Sequence, residues 1–117
     1  MLAIELNNNI IPQLKLQDTV SKALQLISDF KVTHLPVVSE EKYLGLISED
    51  DLLDAANKKM LIEGLQEEFI TPSINENEHF LQAVNFCNQY QTNVVPIVNA
   101  EKELTGTITA QTLLRGA

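Results

Sequence analysis

The feature that most constrains the fold of this chain is an internal repeat with a period of about 60 residues. Residues 35–38 (Leu-Pro-Val-Val) match residues 95–98 (Val-Pro-Ile-Val) at an offset of 60. Residues 45–48 (Gly-Leu-Ile-Ser) match residues 106–109 (Gly-Thr-Ile-Thr) at an offset of 61, so the second copy has one extra residue in its turn. Two related units therefore share the 117 residues, and neither has enough apolar surface to be stable alone.

Apolar residues at helical spacing precede the strands in both copies and predict one amphipathic helix in each. The first stripe consists of Val20, Ala23, Leu24, Ile27 and Phe30, and the second of Phe80, Ala83, Val84, Cys87 and Tyr90. The sequence predicts Asp18 as the N-cap of the first helix and Asn77 or Glu78 as that of the second.

Each repeat is thus predicted to contain an extended lead, a helix, two strands joined by a polar turn, and a second helix. The leads are residues 11–16 and 70–74, where prolines disfavour helix, and the turns are residues 39–43 and 99–103. We divide the chain into a first repeat (1–57), a linker (58–69) and a second repeat (70–117). The linker is predicted to be partly helical with a break at Gly64. The predicted fold class is α/β (α+β), with two small sheets flanked by helices and related by a pseudo-twofold axis.

The net charge of −8 argues against nucleic acid or an anionic membrane as a partner, because both would repel the chain. The simplest interpretation of the acidity is solubility. No apolar run is long enough to span a bilayer, and residues 1–11 lack the basic start of a secretory signal. A single cysteine is compatible with a reducing compartment. We therefore expect a cytoplasmic protein.

The duplicated pattern of a helix, h-Pro-Val-Val, and then Gly-h-h-[Ser/Thr]-x-x-Asp opening a helix resembles a tandem cystathionine-β-synthase (CBS) domain pair, also called a Bateman module. The resemblance covers nearly the whole chain. It is stronger in the first repeat, which has Ser48 and Asp51, than in the second, where Thr112 stands in place of the aspartate.

The resemblance implies a regulatory sensor without catalytic activity that binds an adenosine-containing ligand such as AMP, ADP, ATP or S-adenosylmethionine. It also implies that Asp51 holds the ribose hydroxyls and that Ser48 contacts phosphate. The implied base pocket consists of Thr33, His34, Leu35 and Pro36, with Pro12 closing it and Gly45 beside it. The corresponding weaker site of the second repeat consists of Asn93, Val94, Val95, Pro96, Thr109 and Thr112.

Physical chemistry supports these roles but leaves alternatives open. A carboxylate suits a vicinal diol, and a strand-to-helix junction offers free amides to an anion. Ser48 is equally a helix N-cap, with Asp51 supporting the cap three residues later. Gly45 permits either close approach of a ligand or a tight turn. The two prolines, Pro36 and Pro96, are also explained as strand starts or edges.

Two acidic residues, Glu49 and Asp50, follow Ser48 directly and disfavour a bare polyphosphate unless a cation such as Mg²⁺ intervenes. The alternative is that they point into solvent on the first helical turn. Because the second repeat lacks its aspartate, we expect one competent site at most, built from the first repeat and selective for low phosphate charge.

The remaining reactive side chains predict neither catalysis nor a metal site. His34 either stacks on adenine or is a partly exposed residue at the strand entrance, and His79 is predicted at the surface. Cys87 is predicted as a small core residue. The sequence has no known nucleophile or phosphate-loop motif.

Three functions remain open at this stage. The first is the adenosyl-ligand sensor, and the second is a ligand-free dimerisation or interaction module. The third, an enzyme, depends on whatever surrounds Cys87, Asp51 and His34 in space. We expect a homodimer that pairs through its helices, with Leu24, Leu26 and Phe86 at the contact. The short final helix also suggests that the chain is a fragment of a longer protein that includes the regulated domain.

Overall fold

The computed structural model describes residue 3 and residues 11–111 and contains two three-stranded sheets of matching topology. The first repeat contains β1 (Leu14–Lys15), α1 (Val20–Phe30), β2 (His34–Ser39), β3 (Lys42–Ser48) and α2 (Glu49–Leu53). A linker 3₁₀ helix (Ile62–Glu68) leads to β4 (Ile74–Asn75), α3 (Phe80–Tyr90), β5 (Val94–Val98) and β6 (Leu104–Thr109). The predicted mixed α and β fold is confirmed.

The sheets have the same strand order and directions, with β1 parallel and β3 antiparallel to the central β2, and the same for β4, β6 and β5. Each hairpin has a register shift at the same place. Val37 pairs with Gly45 and Val38 with Tyr43, which leaves Leu44 as the extra residue. The shift in the second sheet lies between Ile97 and Val98. The alignment at offsets of 60 and 61 therefore holds in three dimensions.

The helices α1 and α3 end in the same way, with a non-glycine residue in the left-handed conformation. Lys31 has φ 55° after α1, and Gln91 has φ 53° after α3. The predicted N-caps are wrong by one residue or more, because Thr19 caps α1 and His79 caps α3. The carboxylates of Asp18 and Glu78 instead accept the backbone amides of Lys15 and Asn75, which fixes the turn before each helix.

The apolar stripes are buried in part, and two assignments need correction. In α1, Val20, Ala23 and Ile27 are buried, whereas Phe30 is 40% exposed at the helix end. In α3 the buried pair is Ala83 and Phe86, and Cys87 is only half-buried. Phe86 packs its ring against Tyr90 with centroids 4.6 Å apart, so the prediction that Phe86 lies at a dimer contact is wrong.

The lead of the second repeat pairs with the first sheet through Ile70, which directly follows the linker and whose backbone exchanges two hydrogen bonds with Leu46 (2.8 and 3.0 Å). The predicted helical character is present at Ile62–Glu68. The predicted break at Gly64 is displaced, because the non-helical residue is Leu65. None of the helices in the described part of the chain is long and apolar enough to cross a membrane.

Candidate functional site

The candidate site lies where β2 begins and β3 passes into α2, since the antiparallel register places His34 opposite Ser48. A cavity of about 190 Å³ opens there. Its lining residues are Thr33, His34, Ser48, Glu49, Asp50 and Gln91. Three of the residues predicted for the first site are therefore together, and Gln91 brings the second repeat into the wall.

Ser48 acts as the N-cap of α2, because its hydroxyl oxygen accepts the backbone amide of Asp51 (3.1 Å). The amide of Glu49 donates to the carbonyl of Thr33 (2.9 Å). Two amides of the first turn of this five-residue helix thus already have protein partners. The expectation that free amides at this junction attract an anion is therefore wrong for these two groups.

Asp51 lies on the first turn of α2 but lines a different cavity, of about 210 Å³. Its neighbours there are Asp54, Ala55, Leu65 and Glu68. The half-buried carboxylate accepts no hydrogen bond from the described residues. Asp51 is thus available to a ligand donor, although the structure does not place it in the cavity of Ser48.

His34 is 8% exposed, so its predicted partial exposure at the strand entrance is wrong. Its Nδ1 lies 2.8 Å from Oγ1 of Thr33. Burial lowers the pKa of the imidazole, and the charges of Asp51 and Asp50 oppose this shift. A neutral ring with one nitrogen acting as acceptor is therefore the favoured form near pH 7.

The remaining predicted residues of the first site are less accessible. Leu35 is fully buried in β2, Pro36 is buried beside it, and Pro12 is half-buried in the lead. Gly45 faces the linker: a Cβ there would lie 2.7 Å from Cβ of Phe69 and 2.9 Å from the carbonyl oxygen of Ile70. Its close approach is therefore to the segment at Phe69 and Ile70, and the interpretation that Gly45 leaves space for a ligand is wrong.

The residues predicted for the second site have mostly structural roles in the described chain. Val94 and Val95 are fully buried, Pro96 is buried, and Thr109 is half-buried at the end of β6, where it pairs with Val94. Asn93 is bonded to Thr33 of the first repeat. Thr112 lies outside the described residues.

The acids Glu49 and Asp50 both line the cavity, although both are exposed to solvent. The described lining contains no Lys or Arg side chain. No group of three or more His, Cys, Asp or Glu among the described residues has a geometry suited to a metal ion. The electrostatic potential in the cavity therefore favours neutral or cationic groups over phosphates.

One residue of this cavity, Gln91, was not identified from sequence. It occupies the position of Lys31 at an offset of 60 and has the same left-handed conformation. The repeat alignment gives that equivalence, but it does not reveal that Gln91 faces the first repeat, because that depends on how the two repeats pack.

Comparison with known proteins identifies the class. The CBS domain family model matches residues 6–58. The CBS domain pair/ACT domain protein from Thermotoga maritima has a similar structure, with a TM-score of 0.86, 18% identity, and 99% and 95% of the two chains covered. The first repeat is therefore a CBS domain, and the chain has the fold of a CBS domain pair, which confirms the resemblance.

Two further structures of this fold contain ligands. The Arabidopsis thaliana protein CBSX2 was solved with AMP and is 20% identical, with a TM-score of 0.76 and coverage of 98% and 94%. The CBS domain pair of protein MJ0100 was solved with 5′-methylthioadenosine and S-adenosylmethionine. It is 22% identical, with a TM-score of 0.75 and coverage of 98% and 94%.

A curated relative is the inosine-5′-monophosphate dehydrogenase of Korarchaeum cryptofilum (strain OPF8), which is 26% identical over 98 residues. The match covers 81% of this chain, and the chain spans about a fifth of the length of that relative.

Proposed function

We propose that this chain is a regulatory CBS-pair module that senses an adenosine-containing ligand of low charge and signals to a partner or an attached domain. The observation that carries the proposal is the inter-repeat cavity, which brings together Thr33, His34 and Ser48 in a CBS-pair fold. The AMP complex of CBSX2 and the S-adenosylmethionine complex of MJ0100 support this ligand class.

Charge selects among the adenosyl ligands. Glu49 and Asp50 at the cavity, with no basic side chain in its described lining, oppose a triphosphate more strongly than a monophosphate or a nucleoside. A sulfonium compound such as S-adenosylmethionine is favoured by the same charges. ADP and ATP then bind only with a divalent cation such as Mg²⁺ between the phosphates and the acids.

The proposed residue roles follow the sequence prediction with one change. Asp51 accepts hydrogen bonds from the ribose hydroxyls. This role requires the first turn of α2 to rotate toward the cavity of Ser48 when the ligand binds. Pro12, which is half-buried, closes the apolar side of the base pocket, and Leu35 and Pro36 support it from the buried part of β2. Gly45 is left out because it packs against Phe69 and Ile70. The second-repeat set is a weaker site or no site, and the module itself has no catalytic role.

Calorimetric titration with AMP, ADP, ATP and S-adenosylmethionine, each with and without Mg²⁺, tests the proposal. Asp51→Asn is expected to weaken binding at least about tenfold, because a carboxylate accepting two hydroxyls is replaced by an amide. Asp54→Asn is the matched control, since it makes the same charge change at the exposed end of the same helix. Equal losses in both variants, or no loss with Asp51→Asn, would refute the assigned role.

A second candidate, a dimerisation or interaction module that binds no ligand, is favoured by the size of the cavity. About 190 Å³ is below the roughly 300 Å³ at which pockets for small molecules begin. The amides of Glu49 and Asp51 already donate hydrogen bonds within the protein, which also favours this candidate. If none of the four ligands binds with a Kd below about 1 mM, this second candidate is selected.

We further propose that the module is cytoplasmic and forms a homodimer. Leu53 on α2 and Leu81 on α3 are each 54% exposed, and Phe30 is 40% exposed, so the helices present apolar groups to a partner. These residues replace Phe86 in the proposed contact. Sedimentation equilibrium checks the assembly: Leu53→Glu is expected to yield monomers, and a wild-type monomer at high concentration would overturn the dimer.

A further inference from the structure

Asn93 of the second repeat is connected to the first-repeat cavity by hydrogen bonds that use its whole side chain. Its Oδ1 accepts the amide of Thr33 (2.8 Å) and lies 3.1 Å from Oγ1 of Thr33. Its Nδ2 donates to the carbonyl of Lys31 (3.1 Å), and its own backbone amide donates to Oγ1 of Thr33 (3.1 Å). Asn93 is therefore committed to the segment that precedes β2.

The orientation of the Asn93 amide is fixed by two backbone partners of opposite character. The amide of Thr33 can only donate, so it requires an oxygen, and the carbonyl of Lys31 can only accept, so it requires the NH₂ group. No flipped arrangement satisfies both. Oδ1 is thus an acceptor that faces the Thr33 hydroxyl.

This orientation decides the position of the Thr33 proton. The hydroxyl has one proton and three neighbouring atoms that could accept it: Asn93 Oδ1 (3.1 Å), Thr92 Oγ1 (3.4 Å) and His34 Nδ1 (2.8 Å). Oδ1 can only accept, whereas Nδ1 can also donate, so donation to Oδ1 is the arrangement in which the contacts to both Oδ1 and Nδ1 are hydrogen bonds. Thr33 therefore donates to Oδ1. Its Oγ1 is then left as an acceptor for the amide of Asn93 and for Nδ1 of His34 at 2.8 Å.

The chain of donors reaches His34. For Thr33 Oγ1 to act as an acceptor, Nδ1 of His34 must carry the ring proton, which leaves Nε2 with a free lone pair. The described residues supply no partner for Nε2, and none of them has a fully buried side-chain nitrogen or oxygen without a partner. Nε2 is therefore assigned to the small part of His34 that remains open, since this residue lines the cavity.

We propose that Asn93, acting through Thr33, is a positioning residue that fixes His34 as the Nδ1–H tautomer. Nε2 then faces the cavity as a hydrogen-bond acceptor for a ligand N–H group. Under the proposed function, on which this choice of ligand rests, the donor is the exocyclic amino group of adenine. The cavity thus distinguishes a purine with an amino group from one without it.

The charged groups around the ring are compatible with this role. The charges of Asp51 and Asp50 on α2 act on His34, and Asp50 and Glu49 line the same cavity. The neighbours contributed by the second repeat, Gln91, Thr92 and Asn93, are uncharged. Since burial lowers the pKa of His34 despite the acids, the neutral ring required by the proposal is the form present near pH 7.

Nitrogen NMR of the histidine rings at pH 7.5 tests the positioning role without any ligand. The wild-type His34 is expected to show the pattern of a protonated Nδ1 and an unprotonated Nε2. Asn93→Ala is expected to shift the ring toward the Nε2–H tautomer. His79→Gln removes the only other histidine and so assigns the signals. An Nε2–H wild type, or an unchanged pattern in Asn93→Ala, would refute the proposal.

Thr33→Val is the second variant, and it serves if Asn93→Ala does not fold. It removes the hydroxyl from an exposed residue at nearly constant volume, and so tests the hydrogen-bond network from Asn93 to His34. It is expected to cause the same tautomer shift. Ser48→Ala is the structural control: it weakens the cap of α2 without touching the network, so the tautomer must stay unchanged. A shift in Ser48→Ala would show that general loosening, and not the Asn93–Thr33 chain, sets the tautomer.

Titration with adenosine and with purine riboside, which lacks the amino group, tests the ligand donor. Wild type is expected to prefer adenosine about tenfold, and Thr33→Val is expected to lose most of that preference. Equal binding of both compounds overturns the assignment of the amino group. If neither binds, the proposed function and the ligand donor fail together, while the tautomer measurement still decides the role of Asn93.

Discussion

At the scale of single residues, pseudo-equivalent positions have acquired different tasks. Thr33 and Asn93 are 60 positions apart and are equivalent in the repeat, yet they bond to each other across the two units. The difference between a hydroxyl and an amide makes the pair asymmetric, because only Asn93 has an NH₂ group to satisfy the end of the opposite helix. The asymmetry of the site therefore arises from this pair as well as from the exchange of Asp51 for Thr112.

The acids beside Ser48 predict a measurable charge selectivity. The double variant Glu49→Gln/Asp50→Asn is expected to raise the affinity for ATP relative to AMP about tenfold in the absence of Mg²⁺, because two charges that repel the phosphates are removed. Calorimetry with both nucleotides measures the ratio.

The matched control for that variant is Glu40→Gln/Glu101→Gln, which removes two exposed charges from the hairpin turns. It leaves the ratio unchanged if the effect is local. An equal rise in both double variants would mean that the overall charge of −8, and not the cavity, selects the ligand.

Burial of His34 predicts that stability depends on pH in a defined direction. Its pKa is lower in the folded chain than its ordinary value, so below about pH 6.5 the unfolded chain binds the extra proton more readily. The free energy of unfolding is therefore expected to fall as the pH decreases from 7.5 to 5. Urea unfolding at a series of pH values measures the slope.

His34→Gln is expected to flatten that slope, because the lowered pKa of this imidazole is its cause. His79→Gln is the comparison variant, since it makes the same substitution at an exposed histidine. A steeper slope after replacement of His34 would show that its proton is bound more tightly in the folded state. The lowering of its pKa by burial would then be wrong.

At the scale of elements, the repeat predicted what depends on local pattern and failed where packing between elements decides. The strand pairs, the polar turns and the helices α1, α2 and α3 follow from hydrophobic spacing and were located correctly. The predicted last helix, after β6, lies mostly outside the described residues. The N-caps differ from the prediction because the carboxylates of Asp18 and Glu78 accept backbone amides in the turns before the helices. Thr19 and His79 are therefore left as the caps. Burial of Phe86 depends on which side of α3 meets the sheet, and the sequence does not fix that side.

The candidate site shows the same division. The resemblance to a CBS domain pair predicted His34 and Ser48 at one site, and their pairing at the ends of neighbouring strands brings them to one cavity. The contribution of Gln91 and the burial of His34 depend on contact between repeats. The same holds for Gly45, whose neighbours Phe69 and Ile70 lie at the junction of the linker and the second repeat, where the sequence has no periodic signal.

Replacement by alanine is expected to have different effects at Gly45 and at Gly64. Gly45→Ala is expected to destabilise the chain by about 1–3 kcal/mol, because a Cβ would lie 2.7 Å from Cβ of Phe69 and 2.9 Å from the carbonyl oxygen of Ile70. The backbone pairing of Ile70 with Leu46 must then shift. Urea denaturation measures the loss.

Gly64→Ala is the matched control. A Cβ there would meet Cε of Met60 at 2.7 Å, and this atom is the end of a flexible side chain that can rotate away. Its effect is expected to lie within about 0.5 kcal/mol of wild type. A neutral Gly45→Ala would show that the linker does not hold its place against β3.

At the scale of the whole molecule, the two repeats are joined at both ends of their hairpins. Thr33 and Asn93 connect the starts of β2 and β5. At the opposite end, the amide of Tyr43 donates to the carbonyl of Lys102 (2.9 Å), and that of Leu104 donates to the carbonyl of Glu41 (3.0 Å). A single buried cluster contains residues of both repeats. The radius of gyration, 13.4 Å, is about that of one compact domain of this length.

These connections predict that one repeat does not fold without the other, even though the CBS domain model matches residues 6–58 alone. A fragment of residues 1–57 lacks the Ile70 strand partner of Leu46, the Asn93 partner of Thr33 and half of the shared core. It is therefore expected to show no cooperative unfolding transition, because so short a chain buries too little apolar surface. The full chain is expected to unfold in one transition.

Circular dichroism during thermal denaturation compares the fragment with the full chain. Mixing fragments 1–57 and 58–117 provides the control, since association of the halves should restore the transition. A fragment 1–57 that melts cooperatively by itself would show that the first repeat is an independent domain, and any signal between the repeats would then have to cross an interface between two separately folded units.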